Sequence, residues 1–324
     1  MSCTVAVIVV NYGTPELALK AAQSVIDAEH GPCSVHIHIV DNASPGGDAA
    51  ELRAEIFRRG WSDRVTLHAE AVNHGFGRGN NIVLDALTRD PEAADFAFLL
   101  NPDAQLENDA VRVLAAHLMA HPQAGAAGAR IEDSHGAPVT AAFRFPSVAS
   151  EFEGAAAFGP ASRLLASHRV PLPPAMTLAK VDWVAGAAVM LRIAALRDAG
   201  TFNPGYFLYY EETDLMRALA RKGWDTWYVP AARVSHLEGA ATGIRSAEVA
   251  RRRRPSYLYQ SWRMYFTANH GRAYAVCAAM AWLAGAGLNH VVSGLRRRPA
   301  ASPLALVPDV WANVLRPLLR GAQT

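Results

Sequence analysis

The sequence predicts an α/β fold, with a doubly wound and mostly parallel sheet followed by a basic helical extension at the C-terminus. Apolar β-branched segments alternate with helical segments over the first 130 residues, which is typical of parallel sheets. The composition, 51% hydrophobic and 19% charged, is that of a globular chain. A length of 324 residues is enough for about two domains. We expect a first domain over residues 1–244 and the extension over 245–324.

The first predicted strand, residues 5–10, is a continuous apolar run of the kind that is buried on both faces of a parallel sheet. Pro15 then opens a helix, which Gly31 and Pro32 end. The same cycle continues with further strands at 35–40, 65–68, 96–100 and 124–130 and helices at 49–59, 78–88 and 109–120.

Residues 131–180 interrupt this alternation. They are rich in Pro, Ala, Ser and Gly, which predicts a long loop with short helices, and loops of this length in compact domains are usually functional. Regular secondary structure is expected again in an apolar run at 181–191, a helix near Ala194 and the segment 206–222. Two short strands are then expected to end at Tyr228 and His236.

The cysteines indicate no covalent framework. Cys3, Cys33 and Cys277 are odd in number and lack CxxC spacing, so we expect neither a disulfide framework nor a thiolate zinc site. A reducing compartment fits this pattern best. The N-terminus has no basic segment before the first strand, so no signal peptide is expected.

The basic extension differs from the rest of the chain. From Arg245 onward there are twelve arginines against Glu248 and Asp309, although the formal net charge of the whole chain is only +2. Residues 273–294 approach the length of a membrane span, and residues 307–318 are apolar at helical spacing. We expect interfacial helices on an anionic membrane, with a packing arm or a homo-oligomer interface as alternatives. Nucleic-acid binding is not expected, because no recognition module accompanies the arginines.

Polar residues follow four of the predicted strands, and ligands gather at the carboxyl ends of strands in open α/β sheets. Asp41 suits the N–H of a pyrimidine base, and Gly75 and Gly77 allow a nucleotide to approach the backbone closely. Each of these residues is also an ordinary turn or cap residue. Asn80 stands where a dinucleotide fingerprint requires glycine, so that fingerprint is weak.

Carboxylates supply the remaining candidates. Asp103 is suited to Mg²⁺ or Mn²⁺, with a helix cap as the alternative, and His236 is suited to the same metal or to a structural role. One of Glu211, Glu212 and Asp214 is a candidate general base. The alternative is an acidic first helical turn that forms ion pairs with arginines one turn away.

Seven segments occur in a characteristic order between residues 4 and 240. They are VIVVNYG, IVDNAS, NHGFGRGNN, FLLNPDA, VDWVAGAAVMLR, FNPGYFLYYEETDL and RKGWDTWYVPAARVSH. With them the chain resembles the inverting glycosyltransferases of family 2, most closely the bacterial rhamnosyltransferase-like members. The resemblance implies a GT-A fold, a nucleoside-diphosphate sugar donor, Mn²⁺ or Mg²⁺, and single displacement with inversion.

The resemblance also implies roles for individual residues. Asp41 would contact the base, and Asp103 would be the surviving aspartate of a DxD metal motif whose first position is Asn101. Glu212 would be the base of the ED pair, with Asp214 as a substitute. The complete set is Asn11, Asp41, Asn73, Gly75, Gly77, Asn80 and Asn101 for the nucleotide sugar, Asp103 and His236 for metal, Gly186 and Trp183 for the acceptor, and Glu211, Glu212 and Asp214 for catalysis.

The expected function is therefore transfer of L-rhamnose from dTDP-rhamnose to a lipid-linked or cell-envelope glycan, such as a polyprenyl-linked acceptor. We expect a cytoplasmic protein that binds the inner face of the cell membrane. One alternative is a UDP-sugar donor, as in galactosyl or N-acetylglucosaminyl transfer. Another is a catalytically silent sugar-nucleotide-binding scaffold, because Asn101 and Glu212 depart from the DxD and ED patterns.

Overall fold

The computed structural model describes residues 2–90, 92–236 and 252–320, which belong to two units. The first unit comprises residues 1–143, 173–207 and 211–243, and the second comprises 144–172, 208–210 and 244–324. The expected boundary between residues 244 and 245 lies outside the described residues. Much of the expected long loop belongs to the second unit, together with the C-terminal helices.

A mixed, mostly parallel sheet forms the centre of the first unit, with nine strands among the described residues. The strand order is β3-β2-β1-β4-β10-β6-β11-β5, and β8 pairs with β11. The strands are β1 (Cys3–Asn11), β2 (Cys33–Asp41), β3 (Val65–Ala69), β4 (Phe96–Leu100), β5 (Ala104–Leu106), β6 (Ala124–Glu132), β8 (Ala179–Val181), β10 (Ala188–Arg192) and β11 (Asp225–His236). A separate two-stranded sheet pairs β7 (Ala142–Phe143) with β9 (Trp183–Val184).

Helices flank this sheet as the alternating pattern predicts. They are α1 (Pro15–Asp27), α2 (Asp48–Arg58), α3 (Gly75–Arg89), α4 (Ala110–Ala120), α7 (Ile193–Ala199) and α8 (Glu211–Arg221). Every residue of β4 is buried, which explains why its sequence is a continuous apolar run and not an alternating one. The predicted fold class, a doubly wound and mostly parallel sheet, is confirmed.

Two details of the sheet differ from the prediction. β10 is inserted antiparallel between β4 and β6, a placement that an apolar run does not encode. The two strands expected to end at Tyr228 and His236 are one strand, β11, which carries an irregularity between Val229 and Arg233. Pro230 lies in this interval and has no N–H to donate to the ladder, so the pairing breaks while the strand continues.

The cysteine expectation is wrong, because Cys3 and Cys33 form a disulfide. These residues lie directly opposite each other in the parallel pairing of β1 with β2. The pairing depends on strand register, which cysteine spacing in the sequence does not reveal. The inference of a reducing compartment loses its support with it. Cys277 is an exposed free thiol.

The second unit is helical in its described part. It contains α5 (Val148–Ala156), α6 (Gly159–Leu164), α9 (Ser256–His270), α10 (Arg272–Leu295), α11 (Leu306–Val310), a π-helical turn (Trp311–Leu315) and α12 (Arg316–Arg320). Among the described residues, α10 is the one helix long and apolar enough to cross a membrane by length and composition. It packs against α5, because a Cβ at Gly285 would overlap the carbonyl oxygen of Phe152. Asn289 Nδ2 also donates to the carbonyl oxygen of Ala156 at 3.0 Å.

The disulfide gives a direct chemical prediction. Before reduction, we expect a maleimide reagent to label only Cys277 in the folded protein, and all three cysteines after reduction and unfolding. Because the bridge closes a loop with a sequence separation of 30 residues, Cys33→Ser should lower the free energy of unfolding by about 3–4 kcal/mol. Mass spectrometry counts the labels, and urea unfolding measures the stability. Labelling of Cys33 without reductant would contradict the pairing.

Candidate active site at the carboxyl ends of the strands

Asn11 connects the loops that follow β1 and β2. Its side chain is fully buried, and Nδ2 lies 2.9 Å from Asp41 Oδ1 and 3.0 Å from Asp48 Oδ2. Ser44 Oγ donates to the same Asp41 oxygen at 2.6 Å and accepts from the backbone N–H of Gly13. The two loops are therefore held in one hydrogen-bonded network. Asp41 is 3% exposed, and its carboxylate is part of this network. A ligand that bound Asp41 would therefore contact a carboxylate that the protein already holds in place.

Asn42 connects the second loop to the third. Its Nδ2 donates to Asn73 Oδ1 and to the carbonyl oxygen of Gly75, both at 3.1 Å, and its Oδ1 accepts from the N–H of His74 at 2.9 Å. The side chain thus binds the third loop at three points. The sequence prediction did not select Asn42 as a site residue, although it stands beside Asp41 in the quoted IVDNAS segment.

Gly75 begins α3 at a point where the chain has no room for a side chain. Its φ is +77°, and a Cβ there would overlap the carbonyl oxygen of Phe207. The next residue, Phe76, donates its N–H to the same carbonyl oxygen. A Cβ at Gly77 would meet Phe202 at 3.1 Å and Glu211 at 3.4 Å. Both glycines therefore allow the third loop to pack closely against the segment that leads to α8.

Two asparagines on α3, Asn80 and Asn81, form hydrogen bonds with backbone groups of the protein. Asn80 is 1% exposed, and its Nδ2 donates to the carbonyl oxygen of Phe76 within the helix. Asn81 exchanges two hydrogen bonds with the backbone of Phe202, at 2.7 and 3.0 Å. The predicted nucleotide-sugar residue Asn80 thus stabilises the start of α3, while Asn81 fixes the segment that contacts Gly77.

Asp103 and His236 come together because β5 pairs antiparallel with β11, which places His236 opposite Ala104. His236 Nε2 lies 3.0 Å from Asp103 Oδ1 and 3.4 Å from Asn101 Nδ2. Asp103 is 5% exposed. His236, more than 130 positions away in sequence, forms one polar cluster with Asn101 and Asp103.

This cluster suits a divalent cation that takes most of its ligands from a substrate. A carboxylate oxygen and an imidazole nitrogen are both metal donors, and here they already face one another. Within the residues that the structure describes, there is no group of three or more metal-ligating side chains. Two protein donors match a Mg²⁺ or Mn²⁺ that is completed by phosphate oxygens and water.

Glu211 and Glu212 begin α8, and an oxygen of each is buried without a hydrogen-bond partner among the described residues. Burial raises the pKa of both carboxyl groups, and the charge of Glu212 raises that of Glu211 further. Because each charge disfavours the other, the two carboxyl groups do not ionise together as independent groups would. A buried carboxylate with a raised pKa and an open acceptor oxygen has the properties of a general base.

Of the residues predicted for the acceptor side, Gly186 lies near this pair. A Cβ at Gly186 would stand 3.2 Å from the ring of Phe76 and 3.9 Å from Cβ of Glu212. Trp183 lies on β9, where its ring stacks on Phe143 with centroids 4.0 Å apart. Asp214 lies in the first turn of α8 and is partly exposed.

Short contacts join these groups into one region of the first unit. Asn42 links the first two loops to Gly75, and Phe76 follows Gly75 and reaches Gly186 beside Glu212. The N–H of Asn101 donates to the carbonyl oxygen of Ala187, the neighbour of Gly186, at 2.9 Å. The loops after β1, β2 and β3, the Asp103–His236 cluster and Glu212 are thus connected.

Residues 3–257 match the family described as "Glycosyltransferase like family 2". An N-acetylglucosaminyl-diphospho-decaprenol L-rhamnosyltransferase of Mycobacterium tuberculosis is 28% identical over 235 residues, which cover 69% of this chain and 74% of that protein. The rhamnosyltransferase WbbL of Escherichia coli K12 is 26% identical over 165 residues, covering 50% of this chain and 61% of WbbL.

Solved structures with low identity share the fold. The mannosyltransferase PcManGT from Pyrobaculum calidifontis, in complex with GDP-Man and Mn²⁺, has a TM-score of 0.56 at 13% identity, covering 98% of this chain and 81% of that one. GalNAc-T7 with UDP, GalNAc and Mn²⁺ has a TM-score of 0.55 at 13% identity, covering 99% of this chain. The chain spans 56% of the GalNAc-T7 chain.

The close approach at Gly75 predicts a specific loss of stability. Gly75→Ala must both adopt a positive φ and displace the Phe207 carbonyl, whereas Gly60→Ala at φ +67° has nothing within 4 Å of the new Cβ. We expect Gly60→Ala to cost about 1 kcal/mol and Gly75→Ala roughly 2 kcal/mol more. Chemical unfolding of both variants measures the difference. Equal costs would show that the segment around Phe207 does not constrain the third loop.

The glutamate pair predicts a characteristic pH profile for any reaction that uses a base here. Because only ionised Glu212 accepts a proton, kcat/KM should increase with pH, with an inflection above the ordinary glutamate value of 4.5. Glu212→Gln should remove the activity, while Glu211→Gln should retain it and keep the inflection. If Glu211→Gln or Asp214→Asn abolished activity and Glu212→Gln did not, the assignment of the base would be wrong.

Proposed function

The chain belongs to the glycosyltransferase-like family 2, and from this membership we propose that it transfers L-rhamnose from dTDP-rhamnose to a lipid-linked glycan with inversion at the anomeric carbon. The two relatives described above, at 28% and 26% identity, are both named as rhamnosyltransferases, which supports rhamnose as the sugar. The name of the mycobacterial relative supports an N-acetylglucosaminyl-diphospho-polyprenol as the acceptor.

The observation that carries this proposal is that Glu212 and the Asp103–His236 cluster both lie beside the Gly186–Ala187 segment: a Cβ at Gly186 would stand 3.9 Å from Cβ of Glu212, and Asn101 donates its N–H to Ala187. A glycosyltransferase needs a base near the acceptor hydroxyl and a cationic site near the departing diphosphate. This region of the first unit supplies residues suited to both tasks.

The donor would occupy the loops at the carboxyl ends of β1, β2 and β3. Asp41 accepts hydrogen bonds through Oδ1 from within the protein, so its other oxygen would accept the N–H of the pyrimidine. Asn11 holds this carboxylate in position, and Asn42 holds Asn73 and Gly75 in the third loop. In this proposal, Asn73, Gly75 and Gly77 shape the backbone that the nucleotide contacts.

Asp103 and His236 would hold Mn²⁺ or Mg²⁺, which supplies positive charge to the leaving diphosphate when it is bound. Asn101, in the first position of the DxD motif, has an amide in place of a carboxylate. Its Nδ2 lies 3.4 Å from His236 Nε2. The cluster would therefore bind the cation through fewer charged ligands than a complete DxD motif provides.

Glu212 would remove the proton from the acceptor hydroxyl as the hydroxyl oxygen attacks the anomeric carbon. The bond from that carbon to the diphosphate oxygen breaks in the same displacement, so the configuration inverts and the proton stays on Glu212. A Cβ at Gly186 would crowd the Phe76 ring at 3.2 Å, so the glycine allows that ring to pack beside Glu212 on the side proposed for the acceptor. Trp183, on the adjacent strand, would form an apolar wall on that side.

A donor panel tests the proposal. Purified protein with Mn²⁺ and a polyprenyl-diphosphate N-acetylglucosamine acceptor should form product from dTDP-rhamnose and not from UDP-galactose or UDP-N-acetylglucosamine. Glu212→Gln should lower kcat by roughly 10²–10⁴-fold, the typical contribution of a general base. Asp103→Asn should require a higher Mn²⁺ concentration for half-maximal rate, and chelation of the metal should stop turnover.

Glu16→Gln is the matched control, because Glu16 is an exposed acidic residue in the first turn of α1 and should leave turnover unchanged. Product formed from a UDP-sugar would support glycosyl transfer but would show that the donor is not dTDP-rhamnose. Nucleotide binding without turnover in the wild-type protein would favour a catalytically silent scaffold, the alternative suggested by Asn101 and Glu212.

A further inference from the structure

The second unit presents no free acidic charge in its described part. Its acidic residues there are Glu151, Glu153 and Asp309. Trp262 Nε1 donates to Glu151 at 3.0 Å, Arg169 lies 3.6 Å from Glu153, and Arg253 forms a bidentate pair with Asp309. Glu153 and Asp309 are buried, and burial raises the pKa of Glu151 to about 7.

Arginines cover the same unit. Its described part contains thirteen arginines against these three acidic residues, a formal charge of +10. Most of them are exposed, which makes the outer surface uniformly basic. The exposed arginines are Arg163, Arg169, Arg252, Arg253, Arg254, Arg272, Arg296, Arg297, Arg298, Arg316 and Arg320.

A helical hairpin combines this charge with exposed apolar side chains. The chain turns back after α10, so that Arg272 at the start of α10 donates to the carbonyl oxygen of Leu318 near the C-terminal end of α12. Residues 295–307 form the hairpin tip. Leu295, Leu304 and Val307 are 82%, 66% and 63% exposed there, on both sides of the three consecutive arginines 296–298.

The helical segment that follows the tip, residues 306–320, continues this pattern. Leu306, Val310, Val314 and Leu318 are buried and face the unit. Trp311, one turn after Val307, is 53% exposed, and Arg316 and Arg320 are exposed as well. The segment is therefore apolar on its inner face and carries tryptophan and arginine on its outer face, a composition suited to the interface between lipid headgroups and acyl chains.

We propose that the hairpin tip and the exposed Trp311 that follows it dock on an anionic phospholipid bilayer, with Leu295, Leu304, Val307 and Trp311 entering the interface and the arginines contacting lipid phosphates. A second copy of the chain fits less well, because two surfaces of this charge repel each other. Nucleic acid also fits less well, because its phosphates offer no apolar surface on which the exposed leucine and valine side chains could be buried. Because one face of α10 packs on α5, α10 serves as the support of the tip and not as a span.

This inference goes beyond the proposed reaction and does not rest on it, since vesicle binding needs neither donor nor acceptor. The full chain should sediment with vesicles of phosphatidylcholine and phosphatidylglycerol, but weakly with phosphatidylcholine alone, and added salt should weaken binding. Replacing Arg296, Arg297 and Arg298 by Gln should lower the partition coefficient roughly 100-fold. Leu304→Ser with Val307→Ser should lower it about tenfold on the anionic vesicles.

The matched control is Phe57→Ser with Arg58→Gln on α2, an exposed aromatic and basic pair in the first unit. It should bind vesicles like the wild-type protein. Circular dichroism and the thermal midpoint verify that every variant is folded. Equal binding of the wild-type and arginine variants, absence of binding to anionic vesicles, or a preference for single-stranded RNA over those vesicles would each overturn the proposal. Dimerisation that required Leu304 in place of vesicle binding would also overturn it.

Discussion

Two buried asparagines, Asn11 and Asn42, hold together the loops at the carboxyl ends of the first three strands. Three parallel strands bring three loops to one edge, but nothing in the sheet ladder fixes those loops relative to each other. The amide of Asn11 satisfies the carboxylates of Asp41 and Asp48, and the amide of Asn42 satisfies Asn73, His74 and Gly75. Since buried polar groups cost free energy unless they are paired, these contacts define one loop arrangement. The position of Gly75, and with it that of Phe76, depends on this arrangement.

The fold was predictable because burial in a parallel sheet leaves a local signal, as in the fully apolar β4. The insertion of β10 and the Cys3–Cys33 bridge were not, because both depend on strand order and register. Short motifs identified Asp103 and His236, and the pairing of β5 with β11 brings them to 3.0 Å. Asn42 was missed because an amide that organises backbone looks like any turn asparagine until its three partners are known.

The two units differ in how their charged side chains are placed. In the first unit, Glu211 and Glu212 are withdrawn from water, and their raised pKa values come from burial. In the second unit, the acidic groups of the described residues are buried or paired, and arginines remain at the surface. A buried carboxylate is suited to accept a proton, and a surface without anions is suited to attract anionic phosphate. Both features follow from where the fold places the few acidic side chains.

We propose that the Asn11 and Asn42 contacts build a metal-assisted site for a nucleoside diphosphate. Calorimetric titration of dTDP, UDP and GDP, with and without Mn²⁺, tests it most directly. We predict that dTDP binds most tightly and that Mn²⁺ increases its affinity. Asn42→Ala should weaken binding at least about tenfold while Glu212→Gln binds like the wild-type protein, since one hydrogen-bonded side chain contributes on the order of 1–3 kcal/mol. Absence of binding by all three nucleotides, or binding that is indifferent to Asn42, would contradict the account.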